Sequence, residues 1–271
     1  MKANTDKSGK PGGKARLVLA YVAMTAVLML QGCIVTQSTD TPVDPFKHTE
    51  PKTRTAYWCY VPSTYSEDRA WPLVVTLHGT HGLDSAGKQI DEWRSLAEEK
   101  NLIVVAPNLK SVQGTLPVIF NNWWLSDLES DEKDVLAVID EVCAKYRIAQ
   151  NAILLTGFSA GGYPMYFIGL RNTQRFNMLI ARNANSDDLI FKQVTVTDEA
   201  RKIPVAIFWG KSDFSSISEE SWAAFKWLRW NGFKNVTRKK IEGGHLRRPD
   251  VAYGMWAPHL PAQYRIAPQE K

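Results

Sequence analysis

A serine hydroxyl is a poor nucleophile at neutral pH. It needs a base to take its proton, a carboxylate to orient that base, and amide donors for the oxyanion its attack creates. Four short segments of the 271-residue chain hold residues of those types. Gly157-Phe158-Ser159-Ala160-Gly161 follows an apolar run, Ala152 to Thr156, and precedes a helical pattern. A serine between strand and helix must turn sharply, so its neighbours two positions away must be small, and this spacing makes Ser159 the candidate nucleophile. His245, in Glu242-Gly243-Gly244-His245, is the candidate base, in a loop that two glycines free to reach over a sheet edge; His259 is the fallback. Asp213 follows the run Val205 to Trp209, at a strand's carboxyl end where the loops of an open sheet converge, with Asp187 and Asp188 as competitors. Leu77-His78-Gly79-Thr80-His81-Gly82 ends another strand at that edge. The backbone N–H groups of Thr80 and Ala160 are the expected oxyanion donors, with Gly79 as a substitute for Thr80. His78 and His81 lack a third ligand nearby, so no metal is expected, and this chemistry requires no cofactor.

The elements that must position these segments alternate. Strands are predicted at Arg54 to Val61, Leu73 to Leu77, Leu102 to Ala106, Ala152 to Thr156, Asn177 to Arg182, Val205 to Trp209 and Val236 to Ile241. Helical spacing covers Lys88 to Lys100, Asp131 to Tyr146, a segment starting at Ala160, and Ser218 to Trp230. The alternation predicts an α/β fold, a mostly parallel central sheet with helices on both faces. Trp222, Trp227 and Trp230 are expected mostly in the core, and Arg247 and Arg248 in solvent, with contact to an acidic group as the alternative. Residues 108–128 read as a long irregular loop, usually a functional feature, with a helix starting at Ser126 or Ser130. Its Trp123 and Trp124 are candidate substrate-binding rings, with cover for the core as the competing reading.

With 44% hydrophobic and 23% charged residues the chain can bury a substantial core. Its formal charge of +5 is concentrated at the start, where Lys2, Lys7, Lys10, Lys14 and Arg16 face only Asp6. From residue 33 onward 28 Lys and Arg meet 27 Asp and Glu, too even a balance for a nucleic-acid partner. Leu17 to Leu30 is uncharged, and as a helix it would rise only about 21 Å, short of the ~30 Å hydrocarbon core. It reads as the apolar part of a secretory signal. Leu30-Gln31-Gly32-Cys33 resembles a bacterial lipobox, which implies lipidation at Cys33 and anchoring to an envelope membrane, with Ile34 favouring the outer one. The expected organisation is a signal over 1–32, a Thr-, Ser-, Asp- and Pro-rich tether over 33–53 with a solvated His48, and one folded domain over 54–271. Cys59 and Cys143 are expected as buried small apolar residues, with pairing as the alternative.

The order Ser159, Asp213, His245 resembles that of the α/β-hydrolases, over residues 54 to 260. The aromatic strand running into Tyr60-Val61-Pro62, Leu73-Val74-Val75 before Leu77-His78-Gly79, and Gly157-Phe158-Ser159-Ala160-Gly161-Gly162 are similar to secreted esterases of the polyhydroxybutyrate depolymerase and feruloyl esterase type and to dienelactone hydrolase-like proteins. The resemblance implies hydrolysis of a small-molecule or carbohydrate-linked ester through an acyl-enzyme, with the triad on Ser159, Asp213 and His245. Thr80 departs from the depolymerase pattern, which often has cysteine there. The alternatives are a serine peptidase of the same fold and a non-catalytic surface lipoprotein that uses the scaffold for binding.

Overall fold

A computed structural model of the chain describes residues 45–112 and 122–265. The expected signal and most of the tether, including Cys33, lie outside the described residues. Among the described residues eight strands form one sheet: β1 (Phe46–Thr49), β2 (Ala56–Tyr60), β3 (Trp71–Leu77), β4 (Ile103–Pro107), β5 (Ile148–Phe158), β6 (Met178–Arg182), β7 (Val205–Gly210) and β8 (Val236–Ile241). The strand order is β1-β2-β4-β3-β5-β6-β7-β8. β2 runs antiparallel to both its neighbours, and the pairings from β4 to β8 are parallel. The helices are α1 (Ala86–Lys100), α2 (Asn122–Lys145), α3 (Gly162–Arg171), α4 (Asp188–Lys192), α5 (Ser215–Trp230) and α6 (Pro249–Trp256).

The central strands read as unbroken apolar runs because helices cover both faces. Every residue of β3, β4, β6 and β7 is buried. Leu73, Val75 and Leu77 point to the layer that holds α2, α3 and α5, while Val74 points to the opposite layer, where Ile90, Trp93 and Ala97 of α1 meet Trp256 of α6. Local signals fix the ends of α1. Ser85 Oγ accepts from the Lys88 amide at 3.3 Å, and Asn101 closes the helix in the left-handed region with φ 54°.

Several expectations are corrected. Residues 46–49, assigned to the tether, form the edge strand β1, where His48 stacks on Tyr57 with centroids 5.5 Å apart. Four residues are too few for alternation to stand out in the sequence. Helix α2 begins at Asn122, inside the stretch read as irregular. Trp124 is 4% exposed and meets Tyr163 edge-on at 5.2 Å, so it covers the core and has no open face for a substrate. The side chain of Trp123 lies outside the described residues. Trp222 and Trp230 on α5 are not core but 39% and 91% exposed; the helix buries Ile217, Ser221, Ala224 and Leu228 instead. Arg247 is not solvated but 7% exposed. The reading of Cys59 and Cys143 as unpaired holds: both are free thiols, Cys143 only half-buried, and burial pushes that of Cys59 up to about 12.

Candidate active site

The loops that leave β3, β5, β6 and β7 meet at the carboxyl edge of the sheet. β5 ends directly in Ser159, whose φ of 52° places a non-glycine residue in the left-handed region, a cost of about 1–3 kcal/mol that the surroundings must impose. A Cβ at Gly157 would run into the Gly161 carbonyl, and one at Gly161 would lie 2.5 Å from the His78 carbonyl oxygen. The turn is therefore tight and pressed against the end of β3. The Asn185 amide, in the loop after β6, donates to the Ser159 carbonyl at 2.9 Å and ties that side.

Asp213 and His245 come together beside this turn. The His245 Nδ1–H donates to Asp213 Oδ1 at 2.8 Å, and the same oxygen accepts the Phe214 amide at 2.7 Å. The aspartate side chain is fully buried and the imidazole 4% exposed. A buried carboxylate on Nδ1 fixes the tautomer that leaves Nε2 as the proton acceptor. The ring lies between Phe158, which immediately precedes Ser159, and Phe214, at 4.8 and 5.2 Å between centroids. The loop carrying His245 is backed onto the end of β7: the Ser212 amide donates to the Gly243 carbonyl at 3.0 Å, and Gly243 has φ 98°. The competing residues are elsewhere. Asp187 caps α4 by accepting the Leu189 amide at 2.7 Å. Asp188 is the first residue of α4. The His259 carbonyl binds Asn177, which precedes β6 and so marks the opposite edge of the sheet.

At the β3 exit the Gly79 amide donates to Asp84 Oδ2 at 2.7 Å, so it cannot serve as the substitute oxyanion donor. The Thr80 amide follows it, and the Ala160 amide stands in the opening turn of the helix, where N–H groups lack intrahelical acceptors. A Cβ on Gly79 would come within 3.0 Å of Ser159 Cβ, so this loop passes directly beside the serine. His78 is buried, donates from Nδ1 to the Gly79 carbonyl at 2.8 Å and accepts the Leu109 amide on Nε2 at 3.1 Å. Burial holds its pKa below the ordinary histidine value, so it stays neutral, and neither nitrogen is left for a metal.

Beneath these loops lies a polar network of which the sequence reading held only the alternative that Arg247 meets an acidic group. Asp84, which holds Gly79, also receives Arg247 Nη2 at 3.0 Å, two residues beyond His245. Arg247 reaches Glu92 on α1 at 3.0 Å. Burial opposes ionisation of Asp84, but Arg247 and the Gly79 and Ser85 amides outweigh it and hold the carboxyl below its usual range; burial of Glu92 dominates and raises it. Arg182, fully buried at the end of β6, donates to Thr76, Gln89 and Thr156 side chains and to the Arg247 carbonyl. Asn183 follows it in the left-handed region, φ 45°. Its Oδ1 accepts the Gly210 amide at 2.7 Å and its Nδ2 donates to the Leu246 carbonyl, so one amide side chain joins the strand before Asp213 to the residue after His245. Besides Arg247, the hint of this network in the sequence is Arg182-Asn183, an arginine and an amide that end an otherwise apolar run.

A sheet of this strand order, with a strained serine after the fifth strand, an aspartate after the seventh and a histidine after the eighth, defines the α/β-hydrolase fold. A family model described as Prolyl oligopeptidase family, Peptidase_S9, matches residues 93–221. The chain is 26% identical over 132 residues to a dipeptidyl-peptidase 5 of Porphyromonas endodontalis, a match that spans 46% of this chain and only 18% of that relative. Among solved structures, a CE1 ferulic acid esterase from Anaeromyces mucronatus superposes with a TM-score of 0.59 at 17% identity, covering 83% of this chain and 92% of that one. A thermostable esterase superposes with a TM-score of 0.53 at 22% identity, covering 74% of this chain and 54% of that one.

Proposed function

We propose that the chain is a serine hydrolase that cleaves carboxylic esters through an acyl-enzyme. The observation that carries this reading is the buried His245–Asp213 pair lodged against the strained turn at Ser159. Ser159 Oγ attacks the ester carbonyl while His245 Nε2 takes its proton. The carbonyl oxygen becomes an oxyanion received by the Thr80 and Ala160 amides, and His245 returns the proton to the departing alcohol. Water, deprotonated by the same imidazole, then releases the acid. Asp213 stabilises the imidazolium formed in each half. This sequence needs neither a metal nor a cofactor.

Ester cleavage is placed before peptide cleavage on the likeness to the ferulic acid esterase, which covers 83% of this chain and 92% of that one. The Prolyl oligopeptidase family match supports the second reading, a serine peptidase. The substrate class is a small or carbohydrate-linked ester, and Cys33, lipidated once the signal over 1–32 is removed, would anchor the chain in the cell envelope. In the test, Ser159→Ala is expected to reduce p-nitrophenyl acetate turnover to background and abolish labelling by a fluorophosphonate. Undiminished labelling overturns the reading. Turnover of aminoacyl p-nitroanilides well above that of the esters would select the peptidase.

A further inference from the structure

The near-zero charge of the chain after residue 33 conceals a strong segregation. Ser221 to Ile241 contains six basic residues, Lys226, Arg229, Lys234, Arg238, Lys239 and Lys240, and no acidic one. All six are exposed, and none is in an ion pair among the described residues. The large apolar side chains exposed among the described residues, Phe214, Trp222 and Trp230, all belong to α5 or the residue before it. The two features meet where α5 lies beside β8, with Arg238 and Lys240 on the α5 side of the strand and Lys239 on its other face. The Arg238 guanidinium on β8 sits 4.1 Å from the centre of the Trp222 ring on α5, and Trp222 stacks on Phe225.

We infer that this α5–β8 edge docks on an anionic lipid bilayer. Exposed tryptophan amid unpaired cations suits the boundary between acyl chains and phosphate headgroups, where rings enter the interface and each cation near the surface gains from the negative potential. A glycan would need hydrogen-bonding groups beside the ring, and the neighbouring amides already spend a donor on the backbone: Asn231 binds the Trp227 carbonyl and Asn235 that of Lys202. A second copy pairing along β8 would set Arg238, Lys239 and Lys240 against their own counterparts, and such cations on an edge strand oppose pairing.

The test uses the full chain with phosphatidylcholine vesicles, with and without phosphatidylglycerol. Replacing Lys226 and Arg229 by Gln is expected to weaken binding to the anionic vesicles about 25-fold, roughly fivefold per cation, and high salt to remove the difference. The N-terminal segment is identical in parent and variant, so it cancels. A second readout is independent of affinity: no tryptophan precedes Trp58, so quenching by brominated phospholipid reports on the folded domain alone. Trp230→Phe should remove much of that quenching while the thermal unfolding midpoint stays put, because the ring is 91% exposed. Equal binding by parent and charge variant, or quenching unchanged by Trp230→Phe, overturns the proposal. So does a variant that alters only self-association or retention on a sulfated polysaccharide.

Discussion

At the residue scale, the pairing of Asp213 with His245 separates two contributions that are usually entangled. Both donors, the imidazole and the Phe214 amide, reach the same oxygen, and Oδ2 is buried without a protein donor among the described residues. Asp213→Asn can therefore keep its carbonyl oxygen in place and preserve the histidine tautomer, losing only the charge. The expected outcome is a fall in kcat of about 10²–10³, less than for Asp213→Ala, with KM nearly unchanged, because the anion acts on the imidazolium that forms during reaction. Steady-state kinetics on both variants checks this; equal losses would mean that orientation counts for nothing. These residues were legible because the chemistry dictates their types and the resemblance to the α/β-hydrolases implies their chain order. Gly79 was not, since nothing in His-Gly-Thr reveals that Asp84 occupies its amide.

At the element scale, unbroken apolar runs marked the central strands, buried on both faces, and helical periodicity marked α1, α2 and α5, each buried on one side. It failed where an element is short, as in β1, or where aromatic residues suggested burial on a face that is open, as at Trp222 and Trp230. The side chains that join elements leave no period at all. Asn183 is the sharpest case, with its oxygen on Gly210 and its nitrogen on Leu246. Asn183→Asp would set a carboxylate oxygen against the Leu246 carbonyl, an unsatisfied buried contact worth about 1–3 kcal/mol, and release the histidine loop from β7. The expected result is a drop of about 10- to 100-fold in the fluorophosphonate labelling rate, with the unfolding midpoint a few degrees lower. A variant that unfolds earlier yet reacts at the parent rate would show that this bridge stabilises the fold without positioning His245.

At the scale of the whole molecule, several buried carboxyl groups pull stability against pH in opposite directions. Asp84 and Glu50 are held below their usual range, while Glu92, Glu220 and Asp131 are raised. The bulk curve mixes them, so the informative quantity is a difference. Asp131 is fully buried on α2 and accepts the Lys110 amide at 2.8 Å, the Ser111 amide at 3.0 Å and the Ser111 hydroxyl at 2.6 Å. Burial raises its pKa to about 6 despite those donors. The native state then binds this proton more tightly than the unfolded chain, whose aspartates titrate near 3.9. Its contribution is fully present below about pH 4 and is lost as pH rises through about 6, roughly 3 kcal/mol for a shift of about two units. Asp131→Asn has no such titration. Urea unfolding of both proteins should show the parent losing about 2 kcal/mol relative to the variant between pH 4 and pH 7; a pH-independent gap would mean that the three donors fully offset burial. The consequence reaches the candidate active site through one short segment. Asp131 grips Lys110 and Ser111, and the adjacent Leu109 amide holds His78, whose other nitrogen supports the Gly79 carbonyl just before Thr80. The variant should therefore disturb oxyanion binding more than substrate binding, and lower kcat more than it raises KM.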